Sequence, residues 1–145
     1  MPFSPPRPLE PLGEDLAGTR ILVVDDEAIW RTILELDLVQ LGYDVQLAAD
    51  ADQATELAAR VGPEIAIIDL MLPDPWDGQA LLRRLRREGH DFPVVFYTAY
   101  PVAEDPGRTE GLIGHVTKAA DRADLYSLLP PAVRQHRIRG RARPG

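Results

Sequence analysis

The sequence predicts an α/β fold: a doubly wound parallel sheet of five strands with helices on both faces. Short apolar runs rich in β-branched residues recur along the chain, as is typical of strands buried on both faces. Amphipathic stretches of helical length separate most of these runs, as crossovers between parallel strands require. The 145 residues are enough for one such domain with tails.

The first half of the chain gives two strand–helix pairs. "RILVVDD" is the first strand, and "EAIWRTILELDLVQLG" is a helix that should end at Gly42. "YDVQLA" alternates as a strand, and "DADQATELAARVG" follows as a helix that ends at Gly62. Asp50 and Gln53 have the spacing of a capping box, which marks where this second helix begins.

The second half gives three strands but only two clear helices. The strands are "EIAIID", "FPVVFYTA" and "LIGHVTK", with "QALLRRLRREG" as the third helix and "DRADLYSLL" as the start of the last one. Pro130-Pro131 must break, kink or restart that last helix. Between the fourth and fifth strands, "YPVAEDPGRTEG" is too rich in proline and glycine for more than one or two turns. The fourth helix is therefore expected to be degenerate.

The two ends differ in composition from this body. Residues 1–17 are proline-dense and should form a disordered arm, residues 18–137 the domain, and residues 138–145 a basic tail. Five arginines and no acidic residue follow residue 133, and a solvated end is favoured over contact with phosphates or an acidic partner. Without these five arginines, the net charge of the remaining chain is more negative than the −7 of the whole sequence. This acidity disfavours a nucleic-acid surface on the domain.

Composition also bounds the location. The chain has no cysteine and no apolar run long enough for a bilayer, and its start does not resemble a signal peptide. A cytoplasmic protein without a membrane segment is expected.

Polar residues follow the predicted strands at their carboxyl ends, where ligands bind in an open parallel sheet. They are Asp25, Asp26, Asp69, Thr98 and Lys118, the last being the only lysine in the chain. Clustered carboxylates suit a hard cation such as Mg²⁺, and an ionised aspartate can act as a phosphoryl-accepting nucleophile. A hydroxyl and an ammonium nearby would bind phosphoryl oxygens.

Each of these residues also has an ordinary reading. Asp25 and Asp26 could cap the following helix, Asp69 could belong to a turn, Thr98 could be a simple β-former and Lys118 a surface charge. Their joint occurrence at the strand ends favours a phosphoryl-acceptor site.

Four segments carry a family resemblance: "ILVVDDE", "IIDLMLPDPWDG", "VVFYTA" and "HVTKAAD". Together they resemble the signatures of the response-regulator receiver domain of two-component signalling, over about residues 19–137. The resemblance implies the strand order 2-1-3-4-5 and phosphorylation of Asp69 by a histidine kinase or a phosphotransfer protein. It implies that Mg²⁺ is bound by Asp26, Asp69 and the Met71 carbonyl, with Asp25 acting largely through water. Thr98 and Lys118 would bind phosphoryl oxygens.

The chain departs from the family pattern at two positions. Ala119 stands where the family usually has proline directly after the lysine, so that loop lacks its usual constraint. His115 occupies the position of the family's switch aromatic, which turns into the domain on activation. Burying an imidazole there costs desolvation free energy. The alternative interpretation is that His115 is an exposed strand residue.

Two further positions are expected to tune phosphoryl lifetime. Met71 lies two residues past the acceptor and Tyr100 two past the threonine. Neither side chain can orient an attacking water, so slow autodephosphorylation is expected.

The functional expectation is a single-domain response regulator rather than a turnover enzyme. The short tail predicts no DNA-binding domain, so output would be by docking to a downstream protein. One alternative is a pseudo-receiver that binds a partner without phosphorylation. A Mg²⁺-dependent phosphohydrolase of the haloacid-dehalogenase type is disfavoured, because Met71 stands where such enzymes carry a second aspartate.

Overall fold

A computed structural model describes residues 9–73, 77–99 and 111–142, with side chains described up to residue 140. Five strands and five helices lie in these ranges: β1 (Arg20–Val24), α1 (Ala28–Leu41), β2 (Asp44–Ala48), α2 (Ala51–Val61), β3 (Ile65–Ile68), α3 (Gly78–Arg87), β4 (Val94–Thr98), β5 (Leu112–Thr117), α4 (Arg122–Ser127) and α5 (Leu129–Ala142). No helix in the described part of the chain is long and apolar enough to cross a membrane.

The strands form one parallel sheet in the order β2-β1-β3-β4-β5. This confirms the predicted fold class and strand order. The degenerate fourth helix was predicted between β4 and β5, and residues 100–110 lie outside the described residues.

Alternating side chains of the strands build one core on each face of the sheet. On one face, residues such as Val23, Ile67 and Tyr97 pack against α1, α4 and α5. On the other face, Val24 and Phe96 belong to the core formed with α2 and α3. Both faces of the central strands are therefore buried, as their continuous apolar sequences predicted.

The predicted helix boundaries hold at several points. Gly42 ends α1 in the left-handed region, with a φ of 108°, a conformation that glycine adopts without a steric cost. The Asp50 side chain accepts a hydrogen bond from the Gln53 amide at 2.8 Å and so caps α2. The last helical segment is interrupted at Leu128 and restarts as α5, whose first turn contains Pro130 and Pro131.

The predicted disordered arm over residues 1–17 is wrong for residues 9–17. Leu16 is only 1% exposed, and Leu9 and Leu12 pack against the core. The amide of Leu12 also donates to the Leu41 carbonyl at the end of α1 at 2.8 Å. Three leucines among the prolines anchor this segment, because burying them offsets the entropy of ordering it. Residues 1–8 lie outside the described residues.

The boundary expected at the other end is also wrong, because residues 138–142 continue α5. Arg137 explains why the helix is held there. Its guanidinium donates to both carboxylate oxygens of Glu64 at 2.7 and 3.1 Å, to the Asp15 carbonyl and to the Thr19 hydroxyl. Arg134 also pairs with Asp15, at 3.2 Å. Two of the five arginines that were predicted to lie in a solvated end therefore contact other parts of the domain.

Candidate functional site

The carboxyl ends of the strands are joined by backbone hydrogen bonds into one rim. The Asp69 amide, just past β3, donates to the Val24 carbonyl at the end of β1 at 2.9 Å. The Lys118 amide, just past β5, donates to the Thr98 carbonyl at the end of β4 at 2.8 Å. The hydrogen bonding between strands thus continues one residue past their ends. It fixes the backbone positions of Asp25, Asp69 and Lys118.

The ammonium of Lys118 bridges two aspartates of this rim. Its Nζ lies 2.7 Å from Asp25 Oδ2 and 2.9 Å from Asp69 Oδ2. All three side chains are buried, at 4% exposure for the lysine and 2% and 4% for the aspartates. The only lysine of the chain is therefore held in the site, and the alternative that Lys118 is a solvated surface charge is wrong.

One ammonium does not balance two buried carboxylates. Burial raises the pKa of the Asp25 carboxyl above its ordinary value, although hydrogen bonds from Lys118 and the Glu27 amide oppose this. Burial works against the charge of Lys118, yet its hydrogen bonds and attraction to Asp25 and Asp69 raise its pKa, so it stays protonated. The site keeps an excess of negative charge that a further cation would neutralise.

Asp25 and Asp69 use their two oxygens in the same way. Each points Oδ2 at Lys118, while Oδ1 accepts from a backbone amide two residues on: Glu27 at 2.9 Å and Met71 at 3.0 Å. This local bond fixes the side-chain rotamer of each aspartate. The alternative that Asp25 is the cap of α1 is wrong, because the N-cap residue is Glu27. The Glu27 side chain itself makes no capping hydrogen bond.

A glycine lies directly behind the acceptor position. Gly78 starts α3, and its amide donates to the Leu70 carbonyl at 3.0 Å. A Cβ at Gly78 would overlap the Asp69 carbonyl oxygen and would lie 2.8 Å from the Leu70 Cα. Only glycine lets α3 pack this closely against the backbone that carries Asp69.

The rim also carries a group of carboxylates that could hold a metal ion. One oxygen from each of Asp25, Asp26 and Glu27 lies within 4.8 Å of the others, with Asp25 buried and the other two exposed. All-oxygen donors of this kind suit Mg²⁺, which binds few protein ligands and keeps several waters. Sequence reasoning named Asp26 but missed Glu27; the acidic run "DDE" was the available signal.

Thr98 brings an unused hydroxyl to the same rim. The side chain is buried, at 2% exposure, and its Oγ1 has no hydrogen-bond partner among the described residues. A buried hydroxyl without a partner is costly, so Thr98 is poised to bind a ligand oxygen.

His115 lies on β5 and is half-buried. Its ring stacks on Phe96, with 5.2 Å between the ring centroids and 30° between the planes. Its Nε2 is buried without a partner in the described part of the chain. The alternative reading of His115 as an exposed residue is therefore wrong, whereas its role as a switch stays a prediction.

The two lifetime-tuning positions are placed unequally. Met71 is 56% exposed, and its amide donates to Asp69 Oδ1. Tyr100 lies outside the described residues.

A five-stranded parallel sheet in this order, with an acidic rim at the carboxyl ends of its strands, defines a flavodoxin-like doubly wound domain. The chain belongs to the response regulator receiver domain family, which it matches over residues 21–129.

Curated relatives and solved structures agree with this assignment. The chain is 34% identical over 123 residues to the transcriptional regulatory protein TrcR of Mycobacterium tuberculosis, covering 83% of this chain and 48% of that protein. It is 42% identical over 129 residues to the probable transcriptional regulator ycf27 of Porphyridium aerugineum, covering 77% and 53%. The chain thus spans about half the length of these relatives.

Among solved structures, a CheY-like receiver domain protein from Methanospirillum hungatei superposes with a TM-score of 0.74 at 22% identity, covering 86% of this chain and all of that one. The receiver domain of an HD domain-containing protein from Pseudomonas fluorescens gives a TM-score of 0.71 at 26% identity, covering 83% and 98%. The first likeness concerns the fold alone.

Proposed function

We propose that this chain works as a response-regulator receiver that accepts a phosphoryl group on Asp69 and signals by docking to another protein. The observation that carries the proposal is the buried Lys118 ammonium, 2.7 and 2.9 Å from Asp25 and Asp69. The Thr98 hydroxyl lies on the same rim and has no partner among the residues that the structure describes. This arrangement supplies a nucleophile, a cation and a hydrogen-bond donor for one phosphoryl group.

In the proposed reaction, a carboxylate oxygen of Asp69 attacks the phosphorus of a phosphohistidine on a histidine kinase or a phosphotransfer protein. The P–N bond breaks as the P–O bond forms, and the released imidazole nitrogen keeps the electron pair and takes a proton from solvent. The Thr98 hydroxyl donates a hydrogen bond to one phosphoryl oxygen, and Lys118 exchanges a carboxylate partner for a second phosphoryl oxygen. The product is a stoichiometric aspartyl phosphate, so the protein is not a turnover enzyme.

Mg²⁺ fits this site, because two buried carboxylates face a single ammonium and leave negative charge uncompensated. Asp25, Asp26 and Asp69, with the Met71 carbonyl, are the groups that would hold it. When bound, the ion would neutralise charge on the phosphoryl oxygens.

The experiment is phosphorylation by a small-molecule donor such as phosphoramidate in the presence of Mg²⁺, followed by intact-mass analysis. We expect one added phosphoryl group on the wild type, none on Asp69→Asn, and loss of the product when Mg²⁺ is chelated. No phosphoryl adduct on the wild type, or an equal adduct on Asp69→Asn, would refute the proposal.

A protein donor must also dock beside the rim, and α1, which begins there, has exposed apolar side chains along its length. Ile29, Leu36 and Val39 are 61%, 66% and 57% exposed, and Ile29 is in the first turn of α1, close to Asp25 in sequence. Exposed apolar side chains grouped on one element favour protein contact. Ile29→Asp should therefore reduce phosphotransfer from the protein donor and leave phosphorylation by phosphoramidate unchanged.

A pseudo-receiver that binds its partner without phosphorylation is the second candidate. It is favoured by the same exposed face of α1 and by the half-buried His115 at the position of a switch aromatic. Equal partner binding by the wild type, by Asp69→Asn and by the phosphoramidate-treated protein would support it.

A further inference from the structure

Lys118 has a third neighbour that the acceptor chemistry does not explain. Its Nζ lies 5.1 Å from the centroid of the Trp30 ring. Trp30 is in the first turn of α1 and is partly buried against the core. Tryptophan gives the strongest cation–π contact of the aromatic residues, and the contact is worth more where the cation is desolvated. The lysine side chain is 4% exposed, so the contact is of the stronger kind.

The indole itself is held in place from the sheet. The ring of Tyr97, on β4, meets it edge to face, with 5.6 Å between centroids and 90° between planes. Tyr97 is 1% exposed and belongs to the core below α1. The face that Trp30 presents to Lys118 is therefore set by a rigid strand and does not depend on the carboxylates.

We propose that Trp30 is a positioning residue that keeps the Lys118 ammonium at the rim when a divalent cation takes over the aspartates. The inference rests on the proposed function. Without another cation, the carboxylates at 2.7 and 2.9 Å hold the ammonium, and the indole adds little that is needed. With a divalent cation at the rim, the ammonium would share those carboxylates and would be repelled by the ion. The indole contact would not be lost in this change, so it would decide whether Lys118 stays within reach of a phosphoryl oxygen.

The test compares Trp30→Leu with Trp30→Phe, which keeps an aromatic face. Beryllofluoride with Mg²⁺ serves as the phosphoryl analogue, and calorimetry gives both its affinity and that of Mg²⁺ alone. We expect Trp30→Leu to bind beryllofluoride about 5- to 30-fold more weakly and Trp30→Phe to retain most of the affinity. Mg²⁺ alone should bind Trp30→Leu at least as tightly as wild type, because a less firmly held ammonium competes less for the aspartates.

A second readout needs no metal. The chain has two tryptophans, so Trp76→Phe leaves Trp30 as the only indole emitter. In that background, Lys118→Met should change the emission of the folded, metal-free protein at pH 5.0, where we expect this variant to lose less stability than at neutral pH, because it removes a charge 5.1 Å from the ring centroid. Unchanged emission would refute the contact.

The outcomes separate the inference from the function on which it rests. A wild type that does not bind beryllofluoride overturns the proposed function. A wild type that binds it, with an unaffected Trp30→Leu or an equally weakened Trp30→Phe, overturns only the role of Trp30. Weaker binding of Mg²⁺ alone by Trp30→Leu also overturns that role, since it would indicate general damage to the rim. Thermal unfolding of each variant confirms that folded protein is compared.

Discussion

Replacing Lys118 by methionine should destabilise the domain strongly at neutral pH in the absence of Mg²⁺. The substitution keeps most of the side-chain volume but leaves the buried carboxylates of Asp25 and Asp69 without their cation. Removing one partner of a buried ion pair typically costs about 3–5 kcal/mol. Protonation of one carboxyl relieves part of this cost, so we expect a loss of about 3 kcal/mol in the free energy of unfolding at pH 7.5.

The loss should become smaller as the pH falls. Burial raises the folded-state pKa of Asp25, while the Lys118 hydrogen bond opposes that rise. Without the lysine the pKa of Asp25 rises further, so acid stabilises the folded variant more than the folded wild type. The pKa of Lys118 is raised, and its own contribution is therefore fully present below its unfolded pKa and constant across this range. Mg²⁺ should restore part of the variant's stability by binding the freed carboxylates.

Urea unfolding at pH 5.0 and 7.5, with and without Mg²⁺, measures all three effects. Arg134→Gln is the matched control, since it removes a cation from an exposed pair with Asp15, whose side chains are 49% and 60% exposed. Such pairs contribute about 0–1 kcal/mol. The reasoning fails if Lys118→Met costs no more than this control, or if its cost is the same at both pH values and insensitive to Mg²⁺.

Four further outcomes are expected. Gly78→Ala should lower the free energy of unfolding by about 1–3 kcal/mol in urea unfolding, because its Cβ overlaps the acceptor backbone; a loss under about 0.5 kcal/mol would contradict this close packing. Arg137→Gln should cost about 1–2 kcal/mol at pH 7. Because hydrogen bonds from Arg137 lower the pKa of Glu64, that contribution is present above the ordinary value of 4.5 and is lost as pH falls through the folded pKa; a pH-independent loss in urea unfolding would count against it. Lys118→Arg should still accept phosphoryl by intact-mass analysis but fail to bind its partner when phosphorylated, since a planar fork cannot replace a compact ammonium; normal phosphorylation-dependent binding would refute this. Autodephosphorylation followed by intact mass should be slow, and hydrolysis within seconds by purified protein with Mg²⁺ would contradict the assignment of the two lifetime-tuning positions.

The rim was predictable because it depends on the sheet and little else. Once the strands are parallel, their carboxyl ends meet on one edge. Asp25, Asp69, Thr98 and Lys118 follow directly from where the apolar runs stop. The close pairing of Lys118 with Asp25 and Asp69 goes beyond this prediction, which had assigned the lysine to a phosphoryl oxygen.

Features that depend on long-range packing were not predictable in the same way. Trp30 looked like an ordinary apolar residue of α1, and only the angle between α1 and the sheet brings its ring over Lys118. Proline density suggested an arm, whereas Leu16 is buried in the core that also contains residues of α1, α4 and α5. Composition indicates how stiff a segment is. Whether its side chains are buried depends on which other elements pack against them, and the sequence of the segment does not specify those elements.

Ala119 is the position where sequence and structure together change the interpretation most. The family usually places proline there, and its replacement suggested a loop without a constraint. In the structure, the Ala119 amide donates to the Thr117 hydroxyl at 3.2 Å, and the Ala120 amide donates to the Thr117 carbonyl at 3.0 Å. Proline has no N–H and could not make the first of these bonds. The turn after Lys118 is thus fixed by a hydroxyl instead of a ring, and the missing proline gives no reason to doubt that the lysine is held in place.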